Sequence, residues 1–184
     1  TPLESPTKKV KQKKTSNKRI RFLSRDEAEL LLNALRGKSE QTYQISLLSL
    51  DCGLRFGEVA NLTFSDIDLK RESLTLRDTK SGTNRTVFMT QRVKEMIESL
   101  EFGNNGDLVF KTSKGGKLDR ISHSFFRTVE ELGLNDGVID PRQKVVFHSL
   151  RHTYASWLVE SGVDLYTVQK LLGHSSLVMT ERYS

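Results

Sequence analysis

Residues 148–183 read HSLRHTYASWLVESGVDLYTVQKLLGHSSLVMTERY, and this stretch decides how the chain is read. His148 and Arg151 stand at the head of a predicted helix from about Ser149 to Glu160. Gly162 stops that helix, a second runs from Asp164 to Leu172, and Gly173-His174 follows at its end. A final turn or helix carries Tyr183. Two histidines, an arginine and a tyrosine are thus strung around short helices. A second arginine lies upstream in Gly53-Leu54-Arg55-Phe56-Gly57-Glu58. These are the groups needed to cut a phosphodiester without a metal, with tyrosine as the nucleophile.

Working outward, Ser24-Arg25-Asp26-Glu27 reads as a capping box with Leu23 as a staple before it. It opens a helix with Leu30, Leu31 and Leu35 that stops near Gly37. The next helix carries Tyr43, Leu47 and Leu50 on one face and ends at Gly53. Arg55 opens a short helix through Val59 and Leu62. Ser73–Arg77 and the residues around Thr86-Val87-Phe88 alternate, with Thr79-Lys80-Ser81-Gly82 between them, which predicts a β-hairpin with Lys80 in or near the turn. A helix over Val93–Leu100 is followed by a brief strand at Leu108-Val109-Phe110. Another helix covers Ile121–Leu132, with Phe125, Val129 and Leu132 on one face, and Gly133–Lys144 is irregular. The expected class is α+β, mainly α with a small antiparallel β-sheet.

A chain of 184 residues suits one domain. The mean hydropathy of −0.46 and the lack of a long apolar run or secretory leader argue against a membrane partner. Cys52, the single cysteine, is expected to be a small core residue in a reducing compartment. Residues 1–21 carry eight basic side chains against Glu4 alone, a net +7; the whole chain sums to +6, which leaves −1 for the remainder. The body is therefore not generally basic, and any phosphate-binding surface has to come from clustering in the fold. The leader is a polycation expected to be disordered alone and able to neutralise phosphates.

Gly-Leu-Arg-x-x-Glu at 53–58, Lys80, His-x-x-Arg at 148–151, Leu-Gly-His at 172–174 and Tyr183 come in one order that resembles the catalytic domain of the tyrosine recombinases, the phage integrase family. The resemblance runs from about Arg21 to the end. It implies the DNA breaking-rejoining enzyme fold, a basic flexible linker at 1–20, a catalytic domain at 21–184, and an N-terminal core-binding domain and C-terminal tail outside this chain. The reaction it implies is site-specific recombination for integration or excision of a phage or other mobile element. Tyr183 attacks the scissile phosphate, forms a 3′-phosphotyrosyl link and frees a 5′-hydroxyl, with neither cofactor nor metal. The implied partners are double-stranded DNA recombination sites and, on DNA, three further copies in a homotetramer. This chain alone is expected to be monomeric, in the cytoplasm, and nucleoid-associated when bound to DNA. Without the tail, the Tyr183 segment is expected to be mobile, so that a DNA-free structure shows it away from the arginines.

The residue chemistry supports those roles. Negative charge concentrates on the phosphate oxygens during attack, and the planar forks of Arg55 and Arg151 suit them. A phenol has a pKa near 10, so Tyr183 must lose a proton, which a histidine can take at neutral pH. By resemblance His148 is that acid/base residue, His174 hydrogen-bonds a non-bridging oxygen, and Lys80 protonates the leaving 5′ oxygen. Glu58 shares a helical face with Arg55 and can brace a clamp arginine. Arg77 and Arg85 are expected to contact DNA or solvent. The zinc reading of His148 and His152, four apart, is weakened by the missing glutamate and the intervening cation, leaving His152 as a packed or hydrogen-bonded histidine. Asp66 and Asp68 read as turn residues. Three alternatives stay open: a host Xer-like chromosome-dimer resolvase, a type IB topoisomerase, and a helix-turn-helix DNA-binding regulator built on Tyr154–Leu172.

Overall fold

The structure, a computed structural model, describes residues 21–77 and 84–183. The basic leader and the turn bearing Lys80 lie outside those residues. Helix α1 (Arg25–Lys38) starts at the expected capping box: Ser24 Oγ accepts the Glu27 amide at 3.1 Å, and Glu27 Oε2 accepts the Ser24 amide at 2.9 Å. Ala28, Leu31, Leu32 and Leu35 form its buried face, whereas Leu30 is 53% exposed and belongs to the solvent side. The helix runs through Gly37, a tolerable cost in an otherwise regular segment, and ends at Ser39. Ser39 caps helix α2 (Glu40–Asp51) in turn.

Helix α2 departs from the one-sided pattern expected of it. Its polar residues Thr42, Gln44, Ser46 and Ser49 are buried along with its leucines. It lies between α1 and helix α6 (Phe147–Glu160), and a helix covered on several sides is buried all round. Ser46 meets the cost of burial by donating to the Thr42 carbonyl at 2.7 Å. Short helix α3 (Phe56–Asn61) follows the Gly53 turn.

Strands β1 (Ile67–Asp68), β2 (Ser73–Arg77) and β3 (Asn84–Phe88) form an antiparallel sheet in that order, with Ser73 opposite Phe88 and Arg77 opposite Asn84. Leu74, Leu76 and Val87 are its buried members. Helices α4 (Gln91–Glu98) and α5 (His123–Glu131) carry Val93, Met96, Ile97, Phe125 and Val129 into the same core. The strand expected at Leu108-Val109-Phe110 reduces to one bridge between Leu108 and Thr63: the Phe64 and Val109 amides bond the Asp107 and Leu62 carbonyls, and the Ser65 amide bonds the Asn105 carbonyl beyond it. Asp68 is a strand residue rather than a turn residue.

Helix α7 (Leu165–Leu172) packs on α6 to make a second, smaller apolar cluster of Ala155, Val168 and Leu172, bordered by Tyr154, Leu158, Val159 and Val163. Tyr183, on the last 3₁₀ turn (Glu181–Tyr183), packs against this cluster. Leu23 ties the start of the described chain to α6: it is fully buried, and its amide donates to Thr153 Oγ1 at 2.9 Å. Among the described residues no helix is long and apolar enough to cross a membrane.

Candidate active site

Glu58 is the organising group. Its carboxylate accepts the Arg55 amide at 2.7 Å, which completes the turn that opens α3, and it pairs with Arg55 Nη1 at 3.0 Å. The same two oxygens receive Arg85 as a fork, Nη1 at 2.6 Å and Nη2 at 2.9 Å, and Arg151 Nη1 stands 3.7 Å away. One carboxylate therefore faces three guanidinium groups delivered by α3, β3 and α6. Burial alone would raise the Glu58 pKa; the Arg85 hydrogen bonds and charge, then the charge of Arg151, outweigh it and hold the group below the ordinary carboxylate range.

The two clamp arginines of the sequence reading differ in exposure. The Arg55 side chain is 35% exposed, whereas that of Arg151 is 1% exposed. Arg151 Nη1 donates to the Gly53 carbonyl and Nη2 to the Leu172 carbonyl. Burial first, then the charge of Arg55, pull its pKa down to about 9, against an upward pull from Glu58, so it stays charged at neutral pH. Two of its five N–H groups are spent on carbonyls, and three remain in its donor inventory.

Both carbonyl partners depend on a glycine. Gly53 has φ +67°, and a β-carbon there would lie 2.5 Å from the Tyr154 ring. Gly173 has φ +62°, and a β-carbon there would lie 2.9 Å from Arg85 Cδ. No L side chain fits either place without moving a residue of the cluster. Gly173 ends α7, whose last carbonyls have no partner within the helix. Arg85 Nε takes the Leu171 carbonyl at 3.2 Å and Arg151 takes that of Leu172, so two cations sit at the negative end of α7. Arg85, expected at DNA or solvent, is thus a buried brace, its side chain 14% exposed. Arg77 is held too, with Nε 2.9 Å from Asp66 Oδ1. Among the described residues, the cavity of about 230 Å³ beside Asn61, Thr63, Asp66 and Arg77 touches the cluster through Glu58.

His148, Arg151 and His152 fall at i, i+3 and i+4 of α6 and so share one face. His148 is exposed and His152 is buried, and their rings meet edge to face with centroids 4.6 Å apart. His152 Nδ1 lies 2.5 Å from Tyr183 Oη. Instead of being displaced from the arginines, the phenol is seated close enough to Arg151 to influence its charge. His174 Nδ1 pairs with Thr180 Oγ1 at 2.9 Å, and the Thr180 carbonyl accepts the Tyr183 amide at 3.0 Å, so the Leu-Gly-His turn and the tyrosine turn are fastened together.

Arg55, His148, Arg151, His174 and Tyr183 are thus linked through Glu58, the end of α7 and the rings of α6. Lys80 lies outside the described residues; Arg85 is delivered by β3. Among the described residues no group of three or more histidine, cysteine, aspartate or glutamate side chains gathers as metal ligands would. Cys52 is buried, its thiol pushed up to about 12 by burial, as suits a core residue. His152 is the packed, hydrogen-bonded histidine expected, but sequence reasoning missed that its partner is Tyr183, and it missed the contacts of Arg85. The signal for His152 was present: it follows Arg151 directly and shares the His148 face.

Residues 21–184 match the Phage integrase family over the whole described region. The chain belongs to that family. It is 31% identical to the tyrosine recombinase XerA of Saccharolobus solfataricus over 93% of this chain and 54% of that protein. Against a crystal structure of XerA recombinase the TM-score is 0.68 at 29% identity, covering 89% of this chain and 59% of that one. The catalytic domain of bacteriophage HP1 integrase aligns with a TM-score of 0.68 at 26% identity, covering 89% of this chain and 86% of that domain. Among the first curated relatives, this phage integrase family chain spans 54% to 64% of their length.

Proposed function

We propose that this chain is the catalytic unit of a tyrosine site-specific recombinase that cuts and rejoins duplex DNA for integration or excision of a mobile element. The observation that carries this reading is the convergence of Arg55, Arg151 and the Tyr183 phenol, drawn from distant parts of the sequence, around Glu58 and one face of α6. In the proposed reaction the scissile phosphate sits over partly exposed Arg55 and exposed His148 with Arg151 behind them. The guanidinium groups stabilise the charge that grows on the non-bridging oxygens, and His174 adds a hydrogen bond. Tyr183 Oη bonds to phosphorus as the bond to the 5′ oxygen breaks, and Lys80 protonates that oxygen. A partner strand's 5′-hydroxyl then reverses the step.

Residues 1–20 act as a linker that neutralises DNA phosphates, and 21–184 form the catalytic domain. The working assembly is a homotetramer on two recombination sites, in the cytoplasm and at the nucleoid when DNA is bound. The XerA relatives favour one second reading, a host chromosome resolvase, with the same chemistry at a different DNA site. The test is covalent trapping on nicked suicide duplexes taken from the DNA flanking the gene, with the adduct mapped by mass spectrometry. The parent should form an adduct at Tyr183 and Tyr183→Phe should form none while still binding DNA. An adduct in the Phe variant, or at another residue, refutes the assignment. Crossover points at the ends of a mobile element select the first reading, and a single chromosomal site selects the second.

A further inference from the structure

We infer that His152 is the proton acceptor for the nucleophile, a role the sequence reading gave to His148. The inference rests on Tyr183 being that nucleophile. Three features carry it. His152 Nδ1 stands 2.5 Å from Tyr183 Oη, within proton-transfer reach of the atom that must be deprotonated. His152 is 4% exposed, so a proton taken up at Nδ1 is held away from bulk water. And the phenol is delivered by its own chain: the His174–Thr180 contact and the Thr180–Tyr183 turn hold the tyrosine segment on the α6–α7 pair.

The spacing explains why one helix carries the whole arrangement. Positions i, i+3 and i+4 put His148, Arg151 and His152 side by side on α6. His148 is exposed to solvent, and buried His152 faces the phenol. To accept at Nδ1, His152 carries its own proton on Nε2. As Tyr183 Oη bonds to phosphorus, its proton moves to His152 Nδ1; the phosphorus bond to the 5′ oxygen breaks, and that oxygen takes a proton from the general acid, assigned to Lys80. In rejoining, the incoming 5′-hydroxyl gives its proton back to the general acid, and the departing tyrosine oxygen recovers its own from His152. Charge and protons balance in both directions. His148 then serves the phosphate rather than the phenol.

The test uses the full chain on the nicked duplex that captures the Tyr183 adduct. His152→Gln keeps a hydrogen-bonding group beside the phenol but removes the base. Cleavage should slow at least about 100-fold, with DNA affinity within about twofold of the parent. The parent's rate should rise with pH as a histidine base loses its proton, and that rise should vanish in the variant. A 5′-bridging phosphorothiolate, whose sulfur leaves without a proton, should rescue Lys80→Ala and not His152→Gln. His148→Gln should slow cleavage without moving the pH rise. Normal cleavage by His152→Gln, or loss of the pH rise in His148→Gln alone, overturns the inference. Should His152→Gln fail to fold, 3-fluorotyrosine at position 183 in the His148→Gln chain decides: a pH rise that persists and stays in place supports His152 as the base, and one that is absent or follows the more acidic phenol downward overturns it. An adduct formed by Tyr183→Phe defeats the underlying assignment of the nucleophile instead, and is read separately.

Discussion

Replacing Glu58 with alanine should be the most damaging single change to the stability of the cluster. The substitution removes the acceptor of the Arg85 fork at 2.6 and 2.9 Å, of the Arg55 amide at 2.7 Å and of Arg55 Nη1 at 3.0 Å. It leaves Arg85 and Arg151, with side chains 14% and 1% exposed, repelling each other without a counter-charge. Removing one partner of a buried ion pair costs about 3–5 kcal/mol, and the half-exposed Arg55 pair adds no more than about 1 kcal/mol. Urea unfolding followed by Trp157 fluorescence measures the loss directly. Because the folded state holds the Glu58 pKa below its unfolded value, its contribution is fully present above the unfolded value, about 4.3, and fades as pH falls through the lower folded value. The gap between parent and variant should therefore be constant from neutral pH to about 5 and shrink in more acid solution. A variant within about 0.5 kcal/mol of the parent at pH 7, the range of an ordinary surface substitution, would refute the view that one carboxylate holds three arginines.

Arg55→Ala and Arg151→Ala should each lose about 3 kcal/mol or more of transition-state stabilisation, seen as slower adduct formation; only Arg151→Ala should also unfold more easily, because the Gly53 and Leu172 carbonyls lose their buried donor. Equal stability of the two variants would contradict the burial difference. Gly173→Ala forces a strained φ and pushes on Arg85, and should lower stability by about 1–3 kcal/mol, with cleavage lost in step; an unchanged unfolding midpoint would show that the turn has room. Arg85→Lys keeps the charge but not the fork, so it should slow cleavage with little change in DNA affinity, and a parent-like rate would demote the brace. Deleting residues 1–18 should flatten the salt dependence of DNA binding, whereas an unchanged slope would make the leader a passive spacer.

The secondary structure around the site was legible because its signals are local. The Ser24 capping box, Gly53 after α2 and Gly162 after α6 are written in neighbouring residues, and each occurs where expected. The matching of Arg55, Arg151 and Tyr183 to one site came from motif order, and Glu58 was readable as a brace because it lies on Arg55's own helix. Arg85 was not, because its partners are 27 and 86 residues away and an arginine on a strand looks like any solvated charge. His152 was set aside because the spacing to His148 was weighed as a metal motif, when its partner is a phenol 31 residues on. Leu30 and the polar face of α2 show the same limit: which side of a helix is covered depends on neighbours that periodicity does not name.

The shared carboxylate has a consequence for when the molecule becomes dangerous. Its three arginines arrive from α3, β3 and α6, so the charges that would polarise a phosphate assemble only after the helices and the sheet have closed on one another. A partly folded copy would carry an idle tyrosine and scattered guanidinium groups. Under the proposed function, folding itself would work as a safety interlock, keeping an unfinished protein from opening strands that it has no means to reseal.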